Sequence, residues 1–136
     1  MNILFICRYN RFRSKIAEAY FNKINKNKNI NAKSAGIFIG SYPLDKTEIK
    51  VAKELGIILK GRPKGISTKL LRWKDLIIAV TDDLPKGLFN FGPYKSKIIN
   101  WKIEDNYNGK EKSVKNIITR IMKRSEELVK KLEKQK

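Results

Sequence analysis

Cys7 closes an unbroken apolar run, Ile3-Leu4-Phe5-Ile6-Cys7, and after the five residues Arg8 to Phe12 the chain reads Arg13-Ser14. Five intervening residues are enough to wrap a loop around a tetrahedral oxyanion with its backbone N–H groups pointing inward. Arg13 then returns to grip two oxygens through its planar fork. A cysteine at the floor of such a cradle feels the inward amides, the following helix N-terminus and Arg13, all of which favour thiolate over thiol. A thiolate there can attack phosphorus in line and form a phospho-cysteine intermediate. Ser14 is suited to donate a hydrogen bond to the sulfur and help it leave in the second step. Asn10 is suited to brace the loop, because it bonds backbone groups and tolerates a left-handed conformation. The expected phosphate-binding stretch is therefore Arg8, Tyr9, Asn10, Arg11, Phe12, Arg13 and Ser14, with inorganic phosphate or another oxyanion as its occupant. The plainer alternative makes Cys7 a small core residue and Arg13 a solvated arginine, and the spacing alone does not exclude it. What favours chemistry is the context: cysteine directly after an apolar strand, Arg-Ser directly before a helix.

Such a loop needs a strand to end on and a helix to begin from, and the rest of the chain supplies both in alternation. The continuous run at residues 3–7 is the pattern of a strand covered on both faces of a parallel sheet. SKIAEAYFNKI from Ser14 has mainly helical spacing and predicts a helix to about Asn25, frayed by the Asn/Lys-rich stretch after it. Residues 30–34 read as a weak strand. Asp45 to Leu55 reads as a helix with Ile49, Val51, Ala52 and Leu55 inward and Gly56 just past its end. A breaker cluster spans Gly61 to Gly65, and Ser67-Thr68 caps a short helix carrying Leu70 and Leu71. LIIAV at 76–80 is a second apolar strand and KIINW at 97–101 a shorter one, separated by the turn-rich DDLPKGLFNFGPYK. The segment from about Lys112 to Glu133 is an amphipathic helix with Val114, Ile117, Ile118, Ile121, Met122, Leu128 and Leu132 on one stripe. Strands alternating with helices imply an α/β fold: a parallel sheet with right-handed crossovers and helices on both faces.

The chain of 136 residues, 41% apolar, suits one domain spanning 1–136. It has one cysteine and no histidine, so neither an intramolecular disulfide nor the common Cys/His zinc sets can form. No metal and no cofactor are expected. No run of about 18 apolar residues exists and no basic leader precedes the first apolar stretch, so the expectation is a cytoplasmic protein without a membrane span. Thirty-one Lys and Arg against thirteen Asp and Glu give a formal charge of +18. That balance attracts polyanions non-specifically, but no nucleic-acid recognition pattern accompanies it, and lysines scattered among Ile and Asn equally describe solvated faces.

The loop resembles that of the low-molecular-weight protein tyrosine phosphatases, Cys-x-x-Asn-x-x-Arg-Ser near the N-terminus. The likeness continues through Ile16-Ala17-Glu18-Ala19, Ser34-Ala35-Gly36, Leu55-Gly56-Ile57 and Asp75-Leu76-Ile77, and so covers nearly the whole chain. It implies a three-layer α/β/α fold whose four-stranded parallel sheet runs in the order 2-1-3-4, with the phosphate loop between the first strand and the first helix. Near the C-terminus the family carries Asp-Pro where this chain has Asp105-Asn106. The resemblance implies that Asp105 protonates the departing oxygen and then activates the hydrolytic water; by residue chemistry alone, Glu104 is a rival. Catalysis would thus rest on Cys7, Arg13 and Asp105. The segment after Gly36 corresponds to the family's substrate-selecting loop, and Phe38, Tyr42 and Tyr107 are candidate walls for an aromatic leaving group.

Four departures stand out. Tyr9 replaces a small residue, Lys15 a proline, Asn106 the proline after the acid, and Phe12 the second cysteine many members keep. Arg8 and Arg11 add charge to the loop, either toward multiply anionic substrates or out into solvent. The implied activity is phosphotyrosine protein phosphatase, with a phosphorylated protein or a small aryl phosphate as substrate. The alternatives are an arsenate reductase regenerated by an external thiol, since Cys7 has no internal partner, and a non-catalytic binder of phosphorylated or nucleic-acid partners.

Overall fold

Strand β1, Asn2–Cys7, has every residue from Ile3 onward buried, because it is paired on both edges and covered on both faces. In the computed structural model, which describes residues 1–38, 44–82, 84, 97–105 and 108–134, it is the second strand of a four-stranded parallel sheet of order β2-β1-β3-β4. β2 is Asn31–Gly36, β3 Leu76–Ala79 and β4 Ile98–Asn100, and the helices are α1 Arg13–Ile24, α2 Lys46–Glu54, α3 Thr68–Trp73 and α4 Glu111–Glu133.

The period of two in a strand sorts the core into two faces. Ile3, Phe5, Leu76 and Ile78 point to one side, where Ile16 and Phe21 of α1, Val51 and Ala52 of α2, and Val114, Ile117, Ile118 and Ile121 of α4 bury them. Leu4, Ile6, Ile77 and Ala79 point to the other, which is covered more thinly by Leu70 and Leu71 of α3 with Ile37 and Ile66. The layers are therefore helix, sheet, helix, in the expected strand order.

Element ends shift by a residue or two from the sequence expectation, as in β2, which starts at Asn31 and runs on to Gly36. The register explains it: Asn31 pairs with Asn2 and Gly36 with Cys7, so β2 lasts as long as the strand it lies against. The Asn/Lys-rich stretch after α1 is a closed turn rather than a frayed end. Asn25 Nδ2 donates to the carbonyls of Asn27 and Ile30, and the Asn27 amide donates back to Asn25 Oδ1. Asp45 caps α2 by accepting the Glu48 amide at 3.0 Å, and Ser67 caps α3 by accepting the Leu70 amide at 3.1 Å. No helix among the described residues is long and apolar enough to cross a membrane.

Candidate active site

The chain runs from β1 to β2 on one side and crosses back to β3 on the other, so the crevice above β1 and β3 is the switch point where α/β sheets bind ligands. The loop 8–12 stands at the carboxyl end of β1 at that point. Phe12, the residue before α1, offers no side-chain cap, so the first amides of the helix are left to the loop.

Backbone contacts with the end of β2 hold the first half of the loop. The Ile37 amide donates to the Cys7 carbonyl and the Phe38 amide to that of Arg8, both at 2.9 Å. Gly36 lies so close beneath that a Cβ there would sit 2.6 Å from the Tyr9 carbonyl carbon, closer than van der Waals contact allows. This close approach is the physical content of the Ser-Ala-Gly segment. Asn10 takes φ 56°, the left-handed conformation anticipated for it. Tyr9 does not, so its bulk meets no backbone conflict; its ring tilts against Phe38 with centroids 5.9 Å apart, and the Arg8 guanidinium lies 5.6 Å from the Tyr9 ring and 5.8 Å from that of Phe38.

Beneath the loop a hydrogen-bond chain is directed toward sulfur. Asn10 Nδ2 donates to Ser14 Oγ at 2.7 Å and to Ser34 Oγ at 2.9 Å, and Ser34 in turn donates to the Glu18 carboxylate. Because Ser14 Oγ already accepts from Asn10, its proton is free to point at Cys7 Sγ, 2.9 Å away. Asn10 Oδ1 accepts the Lys64 amide at 3.1 Å and ties the loop to the segment before α3. Asn10, Ser14 and Ser34 are fully buried, so water does not compete for these bonds. Lys15, which departs from the proline usual in the resembled family, is buried too and reaches the Lys60 carbonyl at 3.3 Å; burial is the main cause that lowers its pKa.

Arg13 is anchored by the segments that follow β3 and β4. Its Nη1 donates to the Ile103 carbonyl at 2.8 Å and to Thr81 Oγ1 at 3.2 Å, and lies 3.5 Å from Asp82 Oδ1. The side chain still lines the crevice, a cleft of about 340 Å³ formed by Cys7, Arg8, Tyr9, Arg11, Phe12, Arg13, Glu48 and Asp105. Cys7, Arg13 and Asp105 thus share one cleft, and Glu104 is not among its walls. Of the expected phosphate-binding side chains, Asn10 and Ser14 do not face the cleft; they stand behind it and act by supporting the loop. Phe38 is 47% exposed at the rim beside Tyr9 rather than in the wall. Tyr42 and Tyr107 lie outside the described residues. A hollow of about 380 Å³ also lies beside α1, lined by residues such as Lys15, Asn22, Lys23 and Ile58, and does not include Cys7.

Glu48 is the wall residue that sequence reasoning missed. It sits in the first turn of α2 and is only 6% exposed. Its amide bonds Asp45, but its carboxyl has no hydrogen-bond or ion-pair partner among the described residues. The sequence signal was faint: Glu three residues after a capping Asp reads as an ordinary first-turn acid. Burial pushes its carboxyl up to about 8, and Asp45 and Asp105 add to the rise while Arg11 and Arg13 oppose it.

A stability prediction follows from that shift. Unfolded, Glu48 ionises near 4.5; folded, it keeps its proton to about 8, so the folded state binds more protons across this window. Its contribution is full below the lower value and is lost as pH rises through the upper one, at a cost of the order of a few kcal/mol. Urea unfolding midpoints are expected to fall over that range, and Glu48→Gln to flatten the fall. Equal slopes for both proteins would show that Glu48 titrates normally.

A family model described as low molecular weight phosphotyrosine protein phosphatase matches residues 2–136. A protein-arginine-phosphatase of Bacillus subtilis (strain 168) is 31% identical over 108 residues, covering 75% of this chain and 71% of that protein. The crystal structure of a low molecular weight protein tyrosine phosphatase from T. tengcongensis superposes with a TM-score of 0.83 at 30% identity, covering 96% of this chain and 99% of the other. An arsenate reductase from Archaeoglobus fulgidus superposes with a TM-score of 0.72 at 26% identity over 93% of this chain and 98% of its own.

Proposed function

The chain belongs to the low molecular weight phosphotyrosine protein phosphatase family, whose activity is cysteine-based phosphatase chemistry, and on that premise we propose that it removes phosphoryl groups from protein side chains by way of a phospho-cysteine on Cys7. The observation that carries this is the Ser14 hydroxyl, loaded from behind by Asn10 and aimed at Cys7 Sγ at 2.9 Å. A core cysteine needs no such donor, whereas a sulfur that must attack and then leave is helped by it.

In the first step Cys7 Sγ attacks phosphorus in line while the loop amides and the Arg13 fork hold the equatorial oxygens. Asp105, across the same cleft, hands a proton to the leaving atom. In the second, Asp105 takes a proton from water as the water attacks the phospho-cysteine, and phosphate departs. Phosphotyrosine is the substrate class favoured by the rim, where the tilted rings of Tyr9 and Phe38, 5.9 Å apart, offer an aromatic edge to a phenol. Phosphoarginine is a second reading, favoured by the 31% identical arginine phosphatase and by the Glu48 carboxyl in the cleft wall.

The test is hydrolysis of an aryl phosphate, phosphotyrosine peptides and phosphoarginine peptides, with vanadate and inorganic phosphate as competitors. Asp105→Asn is expected to cost about 10²- to 10⁴-fold in kcat on phosphotyrosine and much less on an aryl phosphate with a good leaving group, which needs little protonation. Equal losses on both would remove Asp105 as the acid. Thiol-dependent arsenate reduction without phosphatase turnover would instead favour the reductase reading.

A further inference from the structure

Glu48 is a buried acid that neither step above uses. It is supplied by α2, and it stands in the wall of a cleft whose floor is Cys7 and Arg13. A carboxyl so placed is costly to ionise unless a cation joins it, and no described residue hydrogen-bonds or ion-pairs with it. The charged groups around it are Asp45 beside its own helix, Arg11 from the loop, Arg13 from α1 and Asp105 from the segment after β4. Once a phosphoryl dianion occupies the loop, Arg11 and Arg13 face that anion, and a positive group brought in with the substrate becomes the natural partner for the carboxylate.

Resting on the phosphatase reading, we propose that Glu48 is the specificity-determining residue of the cleft: its carboxylate accepts the N–H donors of a cationic nitrogen leaving group and so favours phosphoryl groups carried on guanidinium over those carried on phenol. As the Cys7 Sγ–P bond forms, the P–N bond breaks. The nitrogen keeps the bonding pair and takes a proton from Asp105, and the product leaves as a guanidinium still paired with Glu48. Water then cleaves the S–P bond, Asp105 regains a proton, and phosphate and the Cys7 thiolate are released. A departing phenol gains negative charge instead, which an ionised Glu48 repels. The discrimination therefore depends on the charge of Glu48, not only on its shape.

The experiment compares wild type, Glu48→Gln and Glu48→Asp on phosphoarginine and phosphotyrosine peptides of one sequence, with an aryl phosphate as control. Glu48→Gln is expected to lower kcat/KM for phosphoarginine roughly 30-fold or more, the usual scale for truncating a buried charge pair. Phosphotyrosine turnover should hold level or rise by less than about threefold, since its phenol offers Glu48 no N–H donor and the substitution only relieves a repulsion. Glu48→Asp should recover part of the arginine activity. The wild-type ratio of arginine to tyrosine activity should rise with pH as Glu48 ionises, and the Gln variant should lose that rise. Equal losses on both substrates, or no loss on either, overturn the proposal while aryl phosphate turnover leaves the phosphatase reading standing. Absence of turnover on all three substrates in wild type overturns both.

Discussion

Cys7→Ser is expected to lower turnover of an aryl phosphate by at least about 10⁴-fold while leaving the fold unchanged. Serine differs by one atom, and the site is 3% exposed, so the packing against β2 and β3 is kept. The Ser14 hydroxyl is also still in reach, and the backbone bond from Ile37 to the carbonyl of residue 7 is untouched. What disappears is the sulfur itself, which is a far better nucleophile toward phosphorus and a better leaving group in the second step than a serine oxygen. The oxyanion cage should survive, because its backbone and Arg13 are unchanged, and inorganic phosphate should bind the variant about as tightly as wild type. Calorimetric titration with phosphate, circular dichroism and the rate assay together separate cage from nucleophile. Residual turnover within tenfold of wild type would locate the chemistry elsewhere.

Arg13→Lys is the second large effect, expected to lower kcat/KM by about 10³-fold although charge is conserved. The guanidinium spans two tasks. Nη1 is held by the Ile103 carbonyl, Thr81 and Asp82, and on the phosphatase reading the rest of the fork grips the phosphoryl oxygens. An ammonium is a single point and reaches one group or the other. Drawn to the Ile103 carbonyl and Asp82, it would leave the equatorial oxygens with amides alone, just where charge is spread in the transition state. KM for a phosphotyrosine peptide should rise less than kcat falls, and the thermal midpoint should move by only a few degrees. A variant with kcat near wild type would mean that the loop amides suffice and Arg13 is mainly a brace.

Both predictions depend on a loop whose outline is local. Cys7 directly after an apolar run, Asn10 able to turn left-handed, and Arg-Ser at the start of a helical pattern are short-range properties. They follow from burial, backbone sterics and helix nucleation within a dozen residues. The sheet was legible for the same reason: runs such as LIIAV can be satisfied only between two covered faces. The helix limits were legible because Asp45, Ser67 and Gly56 act on their own turns.

What was not legible came from groups that meet only across the fold. The partners that orient the loop are remote in sequence: Ser34 lies 24 positions from Asn10, while Thr81 and Ile103 lie 68 and 90 positions from Arg13. Nothing in a sequence spacing says which hydroxyl or carbonyl a crossover will deliver. Glu48 makes the point most sharply. On α2 alone it is an ordinary first-turn acid, and only the docking of that helix beside the carboxyl end of β1 buries it in the wall of the cleft that Cys7 and Arg13 line. The residues themselves determined the backbone cradle at Cys7, since its geometry is built from neighbours along the chain. The tertiary structure alone decided what looks into that cradle, because burial and charge at a site are sums over elements that the chain brings together from a distance.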